Sequence, residues 1–304
     1  MRLNTIVVSF GAVVLLTACD SAPSSNTINY QCGALSVAAE FAGADVTFHL
    51  GNHTTQLTQE VSASGARYLN AEQEIEFWTK GQEAHLTIAG QTYPLCLDVT
   101  ALPQQFSARG NEPFWLIQHQ PDSTSLRQPK GDQDFVNITV TAQAKNPSQW
   151  HLQLDENTKL EVAADLCHDS MTGMPYPYTA TLTMAGQAMP GCAGEPHRLI
   201  TGALWEMHAS GLETAPSIQF TEDGTVFGYS GCNRFNGGYE LTGEGLRFKP
   251  LAATRMMCSE PQMEIEQQVF QALEQVTLFD VGTEDNTLQL KANDTTLLRF
   301  VKTL

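Results

Sequence analysis

Positive charge is scarce in this 304-residue chain. Lys and Arg number 16 against 33 Asp and Glu, giving a formal net charge of −17. Such a surface repels nucleic acid, whose binding rests on phosphate neutralisation, and attracts cationic partners. Catalytic signatures are also missing. The sequence contains no G-x-S-x-G, no H-E-x-x-H and no P-loop. Ser230, in Tyr229-Ser230-Gly231, has no elbow pattern around it. No C-x-x-C occurs, and no His or Cys cluster has zinc-ligand spacing. These absences argue against an enzyme and against a metal or cofactor. Beyond residue 16 no apolar run approaches membrane-spanning length.

The amino terminus has a different character. Arg2 precedes an almost uncharged stretch over residues 5–16 that is too short to span a bilayer and fits a signal-peptide core. It ends in Leu16-Thr17-Ala18-Cys19, which resembles a bacterial lipobox. That resemblance implies a signal peptide over 1–18 and acyl chains on Cys19, followed by a Ser-, Pro- and Asn-rich tether over 19–29. The chain would then face the periplasm from a membrane. Lipidation also explains an odd count of seven cysteines, leaving Cys32, Cys96, Cys167, Cys192, Cys232 and Cys258 for disulfides in an oxidising compartment.

Short alternating runs dominate the rest. Val46-Thr47-Phe48-His49-Leu50, Ala84-His85-Leu86-Thr87-Ile88, Asn137-Ile138-Thr139-Val140-Thr141 and Trp150-His151-Leu152-Gln153-Leu154 have period two and predict strands of barrels or sandwiches. One stretch departs from this. Between Ser259 and Gln275, Met263, Ile265, Val269, Phe270 and Leu273 fall largely on one helical face. Ser259 and Gln262 have capping-box spacing, and Pro261 sits in the first turn. The expected fold is therefore mainly β, with a small antiparallel barrel, a second β-rich module and an α+β C-terminal domain with one clear helix. Boundaries are placed near Ala101-Leu102-Pro103 and His197-Arg198, dividing the chain into 30–99, 103–196 and 198–304.

The first module carries two motifs in order: Ser62-Ala63-Ser64-Gly65-Ala66-Arg67-Tyr68 and Phe77-Trp78-Thr79-Lys80-Gly81, between Cys32 and Cys96. Together they resemble the membrane-bound inhibitors of c-type lysozyme. The resemblance implies that Ser64 and Lys80 enter the lysozyme cleft, with Gly65, Tyr68 and Thr79 on the same surface, and that c-type lysozyme is the protein partner. The residue types suit the task. A retaining lysozyme cleaves with two carboxyl groups about 5 Å apart, and a lysine ammonium on a long stem can reach between them. A serine hydroxyl can satisfy either protonation state of a neighbouring carboxyl. Leu69 to Glu74 reads as a polar insertion between the motifs, Arg67 and Tyr68 read from the residues alone as braces of the barrel wall, and Phe77 and Trp78 as core or rim.

Residues 198–304 resemble the META or HslJ-like domain through Leu204-Trp205, Ile218-Gln219-Phe220, Gly231-Cys232-Asn233-Arg234-Phe235-Asn236-Gly237 and Thr254-Arg255-Met256-Met257-Cys258. With modules drawn this way, the sequential pairing Cys32–Cys96, Cys167–Cys192 and Cys232–Cys258 follows. Met256, Met257 and Met263 are expected to fill the core rather than bind a soft metal. In the middle module Arg109, Glu112 and Asp169 are expected to form a structural ion pair. The alternative to a lysozyme inhibitor is a multi-domain envelope scaffold or stress lipoprotein.

Overall fold

A computed structural model describes residues 26–136, 138–143, 146–207, 212–282 and 286–303. The signal segment and Cys19 lie outside the described residues. Three disulfides join Cys32 to Cys96, Cys167 to Cys192 and Cys232 to Cys258.

The first module is a closed antiparallel barrel. Its strands are β1 (Asn26–Cys32), β2 (Leu35–Ala42), β3 (Asp45–Leu50), β4 (His53–Glu60), β5 (Ala66–Asn70), β6 (Ile75–Lys80), β7 (Glu83–Ile88), β8 (Gln91–Thr92) and β9 (Cys96–Asp98). Neighbours pair in sequence from β1 to β7, and β9 closes the circuit between β7 and β1, with β8 appended to β7. Closure removes exposed edges, and inward-facing alternate residues fill the interior. Phe48, Leu57, Phe77 and Leu86 are fully buried there, and Tyr30 meets Phe77 edge-on at 5.3 Å. Strand β1 begins at Asn26, opposite Phe41. The last four residues of the expected tether therefore belong to the barrel, because Ile28 can pack against its core.

The middle module is an open nine-stranded antiparallel sheet spanning residues 106–193, with Trp115, Ile117, Leu152, Leu160 and Leu182 inside. A small hairpin over 167–168 and 175–176 leaves it to pack elsewhere: Met174 and Tyr176 join the core of the C-terminal domain. That domain wraps an antiparallel sheet around helix α1 (Glu260–Gln275). The helix begins as its sequence predicts. Ser259 is the N-cap, and Gln262 Oε1 accepts from the Ser259 amide at 3.1 Å and its hydroxyl at 2.8 Å. Val269 and Leu273 are buried against the sheet, with Ile265 and Phe270 partly so.

The modules dock closely on one another. The Ala34 amide donates to the Thr201 carbonyl at 2.7 Å. Two glycines permit that approach: a Cβ on Gly33 would collide with the Thr201 carbonyl oxygen, and one on Gly202 would sit 2.6 Å from the Cys32 carbonyl oxygen. Arg198 donates to the Gln31 and Leu95 carbonyls at 2.9 and 3.1 Å. His168 meets Asp280 at 2.9 Å, and the Thr172 hydroxyl donates to the Gly243 carbonyl at 3.1 Å.

Candidate functional site

Hairpin register brings the two sequence motifs together. Strand β5 pairs with β6 so that Ala66 faces Thr79, which sets the Ser64-Gly65 turn beside Lys80 at one end of the barrel. The polar residues 71–74 form the turn at the other end of this hairpin, away from that junction. Strand β6 then ends at Lys80 and reverses through Gly81-Gln82 into Glu83. Gly81 has a φ of 64° in this two-residue turn, a conformation that favours glycine.

The loop before β5 is held by its backbone. Trp78 Nε1 donates to the Ser64 carbonyl at 2.8 Å, and the Ser62 hydroxyl lies 3.2 Å from the same oxygen and 3.0 Å from the Gly65 carbonyl. Gly65 has a φ of 66°, and a Cβ there would collide with the Thr79 carbonyl oxygen. Only glycine fits so close an approach. The hydroxyl of Ser64 makes no hydrogen bond among the described residues and is exposed.

Charge isolates one side chain at this end. Between residues 30 and 99 the basic residues are Arg67 and Lys80, set among eight acidic ones. Arg67 is neutralised by Glu76 at 2.6 Å, and that hydrogen bond holds the Glu76 carboxyl below its ordinary pKa. Lys80 is exposed and has no ion-pair partner among the described residues. Its ammonium is the barrel's uncompensated cation.

Two of the residues the resemblance puts on this surface are partly or wholly enclosed. Tyr68 is 5% exposed, with its ring edge-on to Phe41 at 5.7 Å, so it forms barrel wall rather than contact surface. Thr79 is half-buried, and its hydroxyl reaches the Ala66 carbonyl at 3.4 Å. Trp78, expected in the core or at the rim, is half-buried at this rim, and its indole N–H organises the Ser64 loop. The available signal was its position, next to Thr79-Lys80 on the strand that pairs with β5.

A second polar cluster lies in the C-terminal domain. Ser230 is fully buried and Asn233 is 3% exposed. Glu266 of α1 accepts from the Ser230 hydroxyl, from the Asn233 amide at 2.9 Å and from Asn233 Nδ2 at 3.1 Å. Asn233 Oδ1 accepts in turn from the Thr254 hydroxyl at 2.8 Å and the Met256 amide at 2.7 Å. The cluster pins the helix to the sheet.

Comparison with known proteins fits this division. A family model described as membrane-bound lysozyme-inhibitor of c-type lysozyme matches residues 30–94, and one described as META domain matches residues 194–303. The chain is 31% identical to Heat shock protein HslJ of Escherichia coli (strain K12) over 112 residues, which is 33% of this chain and 79% of that protein. Through its C-terminal third, the chain belongs to the META-domain family. Two solved structures are also similar. An NMR structure of a protein from Burkholderia xenovorans has 25% identity and a TM-score of 0.30, covering 35% of this chain and 85% of that one. A crystal structure of a functionally unknown protein from Desulfotomaculum acetoxidans DSM 771 has 8% identity and a TM-score of 0.19, covering 89% and 80%.

The META domain corrects one expectation. Met256, Met257 and Met263 are 61%, 94% and 41% exposed, so they do not fill its core. Met256 and Met257 lie in the irregular segment between the sheet and α1, and Met263 points off the helix face that carries Val269 and Leu273. No group of three or more His, Cys, Asp or Glu among the described residues is placed to hold a metal ion. In the middle module Arg109 forms no ion pair with Glu112 or Asp169. Its guanidinium lies over the Tyr176 ring, 5.3 Å from the centroid. Asp169 accepts instead from Asn111 Nδ2 at 3.0 Å and from the Met171 and Thr172 amides at 2.9 Å.

Proposed function

We propose that this chain is an inhibitor of c-type lysozyme, lipid-anchored through Cys19 and facing the periplasm, that works by occupying the enzyme's cleft with Ser64 and Lys80. The family match over residues 30–94 supports the partner in general terms. One observation carries the mechanism: the barrel's uncompensated cation stands beside an exposed serine on a loop that the backbone already holds in place. Preorganisation lowers the ordering cost of binding. An ammonium with three donors can enter between two carboxyl groups and neutralise them, while the serine hydroxyl satisfies a remaining oxygen. The barrel's acidic residues, Glu83 beside Lys80 and Glu72 and Glu74 at the far end, give it a negative field that would steer it toward a basic enzyme.

The test is turnover of peptidoglycan by a c-type lysozyme in the presence of the full chain. Wild type should inhibit at near-stoichiometric amounts, and Lys80→Ala should inhibit much less. Equal inhibition by the two would overturn the mechanism. Failure of wild type to inhibit at all would favour an envelope scaffold, in which the docked modules bind other components.

A further inference from the structure

The three modules line an open cleft of about 390 Å³ where they meet. The barrel contributes Leu97, the middle module Trp150 and Tyr178, and the META domain Trp205, Arg198 and Lys302. This volume falls in the range of small-ligand sites, which are mostly apolar with a few placed polar groups.

The charge in that cleft is unusual for a protein of net −17. Two cations line it, and neither has a carboxylate within ion-pair distance among the described residues. Lys302 Nζ donates to the Ala34 carbonyl at 3.1 Å, and burial pushes its ammonium pKa below the ordinary lysine value. Among the described residues Arg198 bonds the Gln31 and Leu95 carbonyls, which leaves part of its five-donor fork unused. Asp98 is the acid in the wall, and its Oδ1 already accepts from the Thr100 amide at 2.8 Å and the Thr100 hydroxyl at 2.7 Å. A half-buried ammonium with no carboxylate beside it among the described residues is costly, and an anion seated there would offset that cost.

We propose that the junction cleft binds a small organic anion with an apolar body, its head at Lys302 and Arg198 and its body against Trp150, Tyr178 and Trp205. Such a ligand would bridge the middle module and the META domain, with Leu97 of the barrel in the same wall. This site is independent of the lysozyme surface.

Two of the chain's four tryptophans line the cleft, so intrinsic fluorescence reads occupancy. The full chain is titrated with decanoate, with uncharged decanol and with decyltrimethylammonium, each below its micelle concentration. Decanoate should give a saturable change and raise the unfolding midpoint, and decanol should bind at least about tenfold more weakly. Lys302→Met should weaken decanoate by about tenfold or more and leave decanol unchanged, while Lys302→Arg retains decanoate. Equal affinity for decanol, no saturable response, or unchanged decanoate binding by Lys302→Met would overturn the proposal. The comparison among ligands uses wild type alone, so it stands even if a variant fails to fold. Vesicles of phosphatidylglycerol separate the sources: a response to vesicles without one to decanoate contradicts a cleft for a free anion.

Discussion

The Ser62–Gly65 loop of the barrel and the Ser230–Asn233 turn of the META domain use similar parts for opposite ends. Each has a serine and a glycine in the left-handed region, Gly65 at 66° and Gly231 at 106°. In the barrel, the organising hydrogen bonds go to backbone carbonyls, from Trp78 and Ser62. That leaves the Ser64 hydroxyl and the Lys80 ammonium in solvent. In the META domain the side chains themselves turn inward and are consumed by Glu266. Polar groups over an already satisfied backbone are available for recognition. Polar groups that satisfy each other in the interior hold the fold.

Breaking this contrast should separate binding from stability. The largest effect is expected from Lys80→Glu, which places a like charge against the lysozyme acids. Affinity should fall by more than about 4 kcal/mol, roughly a thousandfold, by titration calorimetry, with the unfolding midpoint unchanged. Asn233→Ala should do the reverse. Removing the buried Asn233 side chain leaves the half-buried Glu266 short of a partner and frees the Thr254 hydroxyl and Met256 amide, at a cost of about 1–3 kcal/mol in denaturant unfolding of the META domain. Its lysozyme affinity should stay at the wild-type value. Gly65→Ala tests both sides at once, since a Cβ must push the Ser64 loop away from Thr79. A loss of about 1–3 kcal/mol in lysozyme binding is expected, with a smaller loss of stability.

The smallest effect concerns acid. Burial by itself raises the Asp169 carboxyl pKa, but bonds from the Thr172 and Met171 amides, Asn111 and the Thr172 hydroxyl outweigh it and hold the group below its ordinary value. A depressed folded pKa contributes stability that is complete above about pH 4 and is lost as pH falls through the folded value. The loop it organises carries Thr172 and Met174 into the META domain. Wild type should therefore lose about 1 kcal/mol more than Asp169→Asn over the acid limb of thermal unfolding, a difference absent at pH 7.

How much of this was legible in the sequence follows from the range of each signal. Helix α1 was readable because its cap, its proline and its period lie within a few residues of one another. Barrel strands were readable from alternation, and the same alternation places Tyr68 inside, since Arg67 beside it faces Glu76 on the surface. The family resemblance groups Tyr68 with the contact surface, whereas the local pattern reads it as barrel wall, and its burial agrees with the local pattern. Module docking left no local trace. Gly33 and Gly202 look like ordinary turn glycines, and Arg198 looks like a boundary residue, because their partners lie more than a hundred residues away. The Asn111–Asp169 bond, 58 residues apart in sequence, and the Arg109–Tyr176 stack are likewise too distant along the chain for a local pattern to show. Exposure of Met256 and Met257 depends on where the segment before α1 runs, which composition does not encode.

Competition for the lysozyme cleft tests the central claim most directly. The full chain bound to a c-type lysozyme is challenged with a chito-oligosaccharide that fills the catalytic subsites. Displacement that follows simple competition is the predicted result. Formation of a ternary complex, with both the sugar and this chain on the enzyme, would contradict cleft occupation by Ser64 and Lys80.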